Sequence, residues 1–167
     1  MKTLLLARHA KANWDNSFGS DFDRKLNQRG LSEAKQMAEL IAEKIEKVDI
    51  IFSSPAVRAL ETALFFANVW KIEDSKIVTD LGIYESSYTI IPKIIMSLAN
   101  GNNQKEVEKI IFLGHNPDMT YLINSYLGTN IENFPTCSIA CIDFEVETWK
   151  EILPKKGKLR FIKIPEK

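Results

Sequence analysis

The chain has 167 residues, of which 45% are hydrophobic and 26% charged, a composition typical of a globular protein that can bury a core. Twenty-two basic residues balance twenty-two acidic ones, which excludes a strong overall field toward nucleic acid or an anionic membrane. The apolar run after Met1 meets Arg8 too early for a signal peptide, and no apolar stretch reaches the ~18 residues of a membrane helix. We expect one domain over residues 1–167, located in the cytoplasm.

Short apolar runs predict five β-strands and a weaker sixth. They lie at residues 2–7, 49–53, 76–80, 109–114, 138–145 and, more weakly, 158–163. The first four are continuous apolar runs, which favours strands buried on both faces of a parallel sheet.

Helical patterns separate these strands. The first predicted helix runs from Asn27, its N-cap, to Lys47, and the second from Ser54-Pro55, its N-cap and first turn, to Trp70. The third covers 90–99 and ends before Gly101, and the fourth begins at Asn116-Pro117. The tail over 149–164 resembles a hairpin edge strand that turns at 155–158. This alternation predicts an α/β fold, a three-layer α/β/α sandwich with a mostly parallel sheet and an antiparallel edge.

The two cysteines, Cys137 and Cys141, fall within the predicted strand region. Residues four apart on a strand are ~13 Å apart, too far for a disulfide. We expect both to be buried as small hydrophobic residues, with no metal site.

The chain has only two histidines, and each follows directly after a predicted strand. His9 comes after the run 3–7, with Arg8 beside it, and His115 comes after the run 110–114. In parallel α/β sheets, side chains just past the carboxyl ends of strands line the ligand crevice. Because imidazole titrates near neutral pH, the two positions predict a catalytic crevice built around paired histidines.

Three strand-to-helix junctions carry residues suited to phosphate chemistry. At the first, a neutral His9 is a competent nucleophile for a phosphoryl group, and the planar guanidinium of Arg8 matches phosphate oxygens. At the second, Arg58 lies about one turn into the predicted helix and Ser54 at its start, where helix amides attract anions. At the third, His115 faces the same crevice from the next junction.

Each of these residues alone has an ordinary structural explanation, but the three junctions together favour one phosphate site, with His9 attacking in line. Phosphoryl transfer needs mainly positioning and neutralisation of oxygen charge, so we expect no metal and no cofactor. The predicted phosphate ligands are Arg8, Arg58, His115, Ser54 and the backbone of Asn116.

Five motifs in this order resemble those of the histidine phosphatase superfamily, which has the phosphoglycerate-mutase-like fold. They are Arg-His-Ala at 8–10, Phe-Asp-Arg at 22–24, Leu-Asn-x-x-Gly at 26–30, Ser-Ser-Pro-x-x-Arg-Ala-x-x-Thr at 53–62 and Gly-His-Asn at 114–116. The similarity runs from residue 3 to about residue 145. Together with the short length, the motifs resemble the SixA-type phosphohistidine phosphatases in particular.

The resemblance implies a single histidine phosphatase domain over 1–167 that needs no metal. It implies that His9 becomes phosphorylated and that Arg8, Arg58 and His115 bind the phosphoryl oxygens. Ser54 matches a position that often touches the phosphate.

Three positions depart from the superfamily pattern. Ala10 stands where many members have glycine. Asp15 stands where similar mutases carry a phosphate-binding asparagine, and a carboxylate there would repel phosphate, which argues against mutase activity. Glu85 lies near the place of the superfamily's proton-donating carboxylate, which the SixA-type branch does not require. Glu85 is thus either the general acid or a surface carboxylate.

Two enzymatic functions and one non-catalytic function remain open. The leading hypothesis is a phosphatase that acts on phosphohistidine in a partner protein, because a protonated imidazole leaves readily without a dedicated acid. The absence of a long insertion that could form a lid also suits a substrate side chain on a folded protein. The first alternative is a phosphatase for small esters, such as sugar phosphates or nucleotides, with Glu85 as acid. The second is a non-catalytic phosphate-binding module, which the presence of both histidines disfavours.

Overall fold

The computed structural model describes residues 1–14, 19–99 and 107–166. In these ranges six strands form one sheet: β1 Lys2–Arg8, β2 Ile50–Ser53, β3 Ile77–Thr79, β4 Lys109–Gly114, β5 Ile139–Phe144 and β6 Lys158–Lys163. The α-helices are α1 Gln28–Ala42, α2 Val57–Val69, α3 Leu81–Tyr84, α4 Ile90–Leu98 and α5 Asp118–Leu127. Short 3₁₀ turns occupy Asp74–Lys76 and Trp149–Glu151.

The strands follow the order β3-β2-β4-β1-β5-β6 across the sheet. The first four in that order are parallel, whereas β5 pairs antiparallel with β1 and β6 antiparallel with β5. Parallel register places Arg8 opposite Gly114 and Ser53 opposite Leu113. The carboxyl ends of β1, β4 and β2 therefore meet at one edge of the sheet.

Helices cover both faces of the sheet, because alternate strand residues point to opposite sides. On one face, Leu5 and Ile111 belong to a core shared with α1 and α2. On the other, Leu6 and Phe112 belong to a core shared with α4 and α5. The predicted three-layer α/β/α fold with a mostly parallel sheet and an antiparallel edge is confirmed.

The predicted strands all form, with bounds that differ by one residue or so. The expectation that the third run is buried on both faces is wrong, because β3 lies at the sheet edge and pairs only with β2. In the tail, β6 pairs with β5, and Trp149–Glu151 forms a 3₁₀ turn, so this segment is not a local hairpin.

Helix ends differ more from the prediction. The first helix stops at Ala42 instead of Lys47. Beyond this end, the Ile45 carbonyl accepts a tertiary hydrogen bond from the Trp70 indole N–H (2.9 Å). Asn27 does cap this helix, by accepting from the Gly30 amide at 2.8 Å.

The second and fourth helices begin later than predicted, with Ala56 and Pro117 in the N-cap positions and no side-chain cap on either helix. The third ends at Leu98, and Gly101 lies outside the described residues. The four-residue α3 is absent from the sequence prediction, because it is too short to show a helical period.

Both cysteines are free and buried, as expected, but only Cys141 lies on a strand. Cys137 lies before β5 in a left-handed conformation (φ 61°) and donates its amide hydrogen to the carbonyls of Arg8 and His9. Within the described ranges, no group of three or more His, Cys, Asp or Glu is arranged to hold a metal ion. None of the helices described is long and apolar enough to cross a membrane.

Gly30, near the start of α1, packs against the loop that follows His9. A Cβ at this position would collide with the Lys11 carbonyl oxygen and lie 2.8 Å from the carbonyl carbon. The same carbonyl accepts from the Asn27 amide at 3.0 Å, so the loop backbone has little room to retreat. The absence of a side chain at residue 30 thus lets α1 hold this loop in place.

We expect Gly30→Ala to lower the free energy of unfolding by about 1–3 kcal/mol, because backbone on both sides must shift. At a helix position without such a contact, the same change stabilises by about 1 kcal/mol, so the sign is diagnostic. Chemical denaturation measures the effect. The control is Lys35→Ala on the exposed side of α1, which should change stability by no more than about 0.5 kcal/mol. A Gly30→Ala protein as stable as the wild type would contradict the close packing.

Candidate active site

A cavity of about 410 Å³ opens at the carboxyl ends of β1, β4 and β2. Nine of the described residues line it: Arg8, His9, Asp21, Arg24, Arg58, Tyr84, Ser86, His115 and Asn116. The structure therefore brings both predicted histidines and both predicted arginines to one place. The backbone elements that meet here are the ends of β1 and β4, the start of α2 and the end of α3.

His9 is held by hydrogen bonds on both its backbone and its ring. Its amide donates to the Gly114 carbonyl at 3.0 Å, and its Nδ1 lies 2.7 Å from the Ala10 carbonyl oxygen. Because a carbonyl oxygen only accepts, Nδ1 carries the proton in this contact and Nε2 keeps its lone pair. The Arg58 Nε donates to that Nε2 at 3.3 Å. The ring thus presents an unprotonated nitrogen beside a guanidinium.

Burial keeps both imidazoles neutral. Desolvation is the main cause that lowers the pKa of His9 to about 3; the charges of His115, Arg58 and Arg8 act in the same direction, and the Ala10 hydrogen bond opposes them. Desolvation, and to a smaller extent the charge of Arg58, lowers the pKa of His115 to about 4. At pH 7 each ring is therefore uncharged, which is the form a nitrogen nucleophile requires.

His115 lies with its ring centroid 5.0 Å from that of His9. Its Nε2 is 2.8 Å from the Ser54 hydroxyl oxygen, which also accepts from the Ala56 amide at 3.2 Å. Ser54 is fully buried and does not line the cavity, and it does not cap α2 as predicted. It supports His115 from behind, and its direct contact with phosphate stays a prediction.

Arg8 and Asn116 share one carbonyl acceptor, that of Phe134. Arg8 Nη1 and Asn116 Nδ2 each donate to it at 3.1 Å. Arg8 Nε is buried with no hydrogen-bond partner in the part of the chain that is described. The shared carbonyl fixes the spacing between these two sides of the cavity.

Thr62 links the loop after His9 to helix α2, although it does not line the cavity. Its hydroxyl accepts from the Ala10 amide at 3.0 Å and donates to the Arg58 carbonyl at 2.7 Å. The side chain is 1% exposed, so no water competes for it. The threonine in the 53–62 motif therefore ties the histidine loop to the arginine helix.

The sequence interpretation missed Asp21 and Tyr84 and did not assign a role to Arg24. Asp21 forms ion pairs with two arginines. Arg58 Nη2 donates to its Oδ2 at 3.0 Å, and Arg24 Nη2 donates to its Oδ1 at 2.9 Å. The Tyr84 hydroxyl also donates to Oδ2, at 3.1 Å. The Phe-Asp-Arg motif at 22–24 pointed to this loop, but no local pattern marks the aspartate that precedes it.

The cavity is positively charged in a protein whose overall formal charge is zero. Of the described residues, three arginines and one aspartate line it, and together they carry two net positive charges when both histidines are neutral. A phosphate ester or phosphoramidate carries up to two negative charges near neutral pH. The site therefore suits a phosphoryl group by charge as well as by hydrogen-bond donors.

Two further predicted positions lie elsewhere. Glu85 follows α3 as its C-cap with an exposed side chain. It is not among the described residues that line the cavity, although its neighbours Tyr84 and Ser86 are. Its role as general acid stays a prediction without support from this placement. Asp15 lies outside the described residues.

Comparison with known families settles the ancestry of the chain. Over residues 4–91, just over half of its length, the sequence matches the model of the histidine phosphatase superfamily (branch 1). The chain belongs to this superfamily. Its membership supports the conclusion that the protein is a hydrolase. The matched range includes both His9 and Arg58.

Solved structures of SixA-type members of the superfamily have the same fold. SixA from Agrobacterium tumefaciens, assigned as a phosphohistidine phosphatase, superposes with a TM-score of 0.81 at 26% identity, over 98% of this chain and 98% of that chain. The protein histidine phosphatase SixA bound to tungstate gives a TM-score of 0.78 at 19% identity, over 96% and 95% of the two chains. Within the histidine phosphatase superfamily, the fold of this chain is thus similar to that of these SixA structures over nearly its whole length.

Curated relatives match less completely. An uncharacterized chloroplastic protein of Arabidopsis thaliana is 23% identical over 162 residues, which are 93% of this chain and 72% of that protein. The 2,3-bisphosphoglycerate-dependent phosphoglycerate mutase of Leifsonia xyli subsp. xyli is 39% identical over 62 residues, 36% of this chain. The chain spans only 25% of the length of that mutase.

The lowered pKa values of the two histidines predict an acid-sensitive fold. Between about pH 4 and pH 6, the unfolded chain protonates its histidines while the folded chain does not, so the unfolded state binds more protons. Stability is therefore full above the unfolded pKa near 6.5 and falls on acidification, by roughly 1.4 kcal/mol per pH unit for each histidine.

Urea denaturation of the wild type and His9→Gln at pH 7, 6, 5 and 4.5 measures this dependence. Carboxylates contribute equally to the pH dependence of both proteins. The difference between the two slopes of unfolding free energy against pH therefore gives the contribution of His9. The variant should lose stability less steeply than the wild type. Parallel curves for the two proteins would show that His9 is not kept neutral by burial.

Proposed function

We propose that this protein is a metal-independent phosphatase that hydrolyses phosphohistidine in a partner protein through a phospho-His9 intermediate. The observation that supports it best is the unprotonated His9 Nε2, which lies beside Arg58 in a cavity with two excess positive charges. Similarity to SixA proteins with phosphohistidine phosphatase assignments favours the same substrate class.

In the first step, His9 Nε2 attacks the phosphorus of the substrate, and the P–N bond to the substrate imidazole breaks. The leaving nitrogen keeps the electron pair of that bond, and the proton already on the ring makes the product a neutral imidazole. Arg8, Arg58 and His115 hold the phosphoryl oxygens, with the backbone amide of Asn116, as their charge shifts. His115 can donate from Nδ1 when its Nε2 accepts from the Ser54 hydroxyl.

In the second step, water attacks the phosphorus of phospho-His9, and the P–N bond to His9 breaks. Inorganic phosphate leaves, the proton of the water passes to solvent, and the ring returns to its starting state. The Ala10 carbonyl holds the Nδ1 proton through both steps, so that Nε2 is the nitrogen which forms and breaks the bond.

Leaving-group chemistry favours phosphohistidine over alkyl esters. An alkoxide needs a proton from a nearby acid, whereas a protonated imidazole leaves as a neutral ring. Glu85, the candidate acid, is exposed and does not line the cavity. Hydrolysis of small phosphate esters with Glu85 as acid is thus the second candidate function.

We expect His9→Ala to lose phosphohistidine hydrolysis by about 10³-fold or more, because the nucleophile is absent. Incubation with a ³²P-labelled phosphohistidine protein, quenched at alkaline pH where the P–N bond survives, tests the intermediate. Label should appear on the wild type and not on His9→Ala. Label at wild-type level on the variant would overturn the nucleophile assignment.

Glu85→Gln separates the two candidate functions. Under the proposal, this variant hydrolyses phosphohistidine at a rate within about threefold of the wild type, since no dedicated acid is used. Steady-state rates on phosphohistidine and on phosphoserine and sugar phosphate esters measure both activities. A wild type that hydrolyses only esters, and loses this activity in Glu85→Gln, would replace the proposal with the second candidate.

A further inference from the structure

Asp21 lies at the centre of the hydrogen bonds that line the cavity. Both of its carboxylate oxygens accept charge-assisted bonds, Oδ1 from Arg24 and Oδ2 from Arg58, and the Tyr84 hydroxyl completes the set at Oδ2. The side chain is nevertheless 54% exposed, so its partners and not burial hold it.

The loop that carries Asp21 is itself fixed on two sides. The Phe22 carbonyl accepts from the Val57 amide at 3.0 Å, at the first residue of α2. The Phe22 ring packs edge-on against Tyr84, with centroids 5.1 Å apart. Arg24 Nη1 donates to the Asn13 carbonyl at 2.9 Å. Asp21 is therefore presented to Arg58 from a constrained backbone.

The contacts of Arg58 divide between the two edges of its guanidinium. Nη1 and Nη2 form the end edge, and both donate to Asp21: Nη1 to its carbonyl at 2.6 Å and Nη2 to Oδ2 at 3.0 Å. Nε and the second hydrogen of Nη2 form the side edge, and Nε points at His9 Nε2. Asp21 thus binds the end edge of the guanidinium, and the side edge, which is nearer His9, remains for a ligand.

We propose that Asp21 is a positioning residue, which holds the end edge of Arg58 so that the side edge meets the oxygens of a phosphoryl group on His9. This inference rests on the proposed function. Its chemical reason is that an arginine binds two oxygens of a planar or tetrahedral anion only when its fork is oriented toward them. The guanidinium of Arg58 is attached through three methylene groups whose torsions can rotate, and the contacts with Asp21 restrict that rotation before substrate arrives.

The surroundings of Asp21 argue against two other roles. Burial raises its pKa, but the hydrogen bond and charge of Arg58, together with Tyr84 and Arg24, outweigh it, and the net shift is downward. The carboxylate is therefore ionised at neutral pH and has no proton to give to a leaving group. It also holds the end edge of Arg58, whereas a competitor of phosphate would occupy the side edge.

Asp21→Asn tests the proposal, because it replaces one acceptor oxygen by an NH₂ donor, so that either Arg24 or Arg58 loses its side-chain acceptor. Asp23→Asn is the matched control: it removes the same charge from the same loop, at an exposed carboxylate bonded to Ser20. Tungstate, a tetrahedral oxyanion, serves as the probe, and its affinity is measured by calorimetry on each protein. Thermal unfolding establishes that the variants are equally folded.

We expect Asp21→Asn to bind tungstate about tenfold or more weakly than the wild type, and Asp23→Asn to bind it as the wild type does. In an Arg58→Lys background, Asp21→Asn should add no further loss, since it acts through the guanidinium. Unchanged or tighter binding by Asp21→Asn, or the same loss in the lysine background, would overturn the positioning role.

The Arg58 Nε–H signal in ¹⁵N NMR spectra gives a readout that requires no ligand. It should shift and broaden in Asp21→Asn and stay unchanged in Asp23→Asn, an effect that a general loss of stability would not produce. A wild type that binds no tungstate would refute the phosphoryl site and hence the proposed function. An unchanged Arg58 signal in Asp21→Asn would refute the role of Asp21 alone.

Discussion

The parallel pairing of β1 with β4 fixes where the two histidines leave the sheet. Arg8 lies opposite Gly114, so the next residues, His9 and His115, emerge at the same level with ring centroids 5.0 Å apart. A register slip of one residue would send the side chains of a strand to the opposite face. Because β2 pairs in parallel on the other side of β4, helix α2 starts at the same edge of the sheet and delivers Arg58.

Burial acts differently on the two kinds of basic group at this edge. It holds the imidazoles of His9 and His115 neutral, whereas a guanidinium stays charged in proteins. The same desolvated environment therefore contains uncharged imidazole nitrogens and fixed positive charge. In water, solvent would screen the positive charge of the arginines. Mild acidification would also protonate more of the imidazole than it does in the buried site.

Local patterns predicted the strands and the placement of both histidines, because an apolar run and the residue that ends it are features of contiguous sequence. The additional site residues Asp21 and Tyr84 could not be predicted this way, since their role arises where a loop, α2 and α3 meet. Ser54 illustrates the competing case: serine before proline is typical of an N-cap, yet tertiary contact with His115 takes its hydroxyl instead. The resemblance to a known family predicts phosphate ligands such as Arg58, but it gives no indication of Asp21, the side chain that contacts Arg58 in the structure.

The Phe134 carbonyl connects the hydrophobic core to the geometry of the catalytic edge. The residue is 1% exposed and its side chain belongs to the core cluster beneath α4 and α5, while its backbone oxygen receives both Arg8 and Asn116. Any repacking that moves Phe134 must therefore also move the side chains of Arg8 and Asn116, which are bonded to its carbonyl. Substitutions deep in that layer, far from the cavity itself, would therefore change the distance between two side chains that line it.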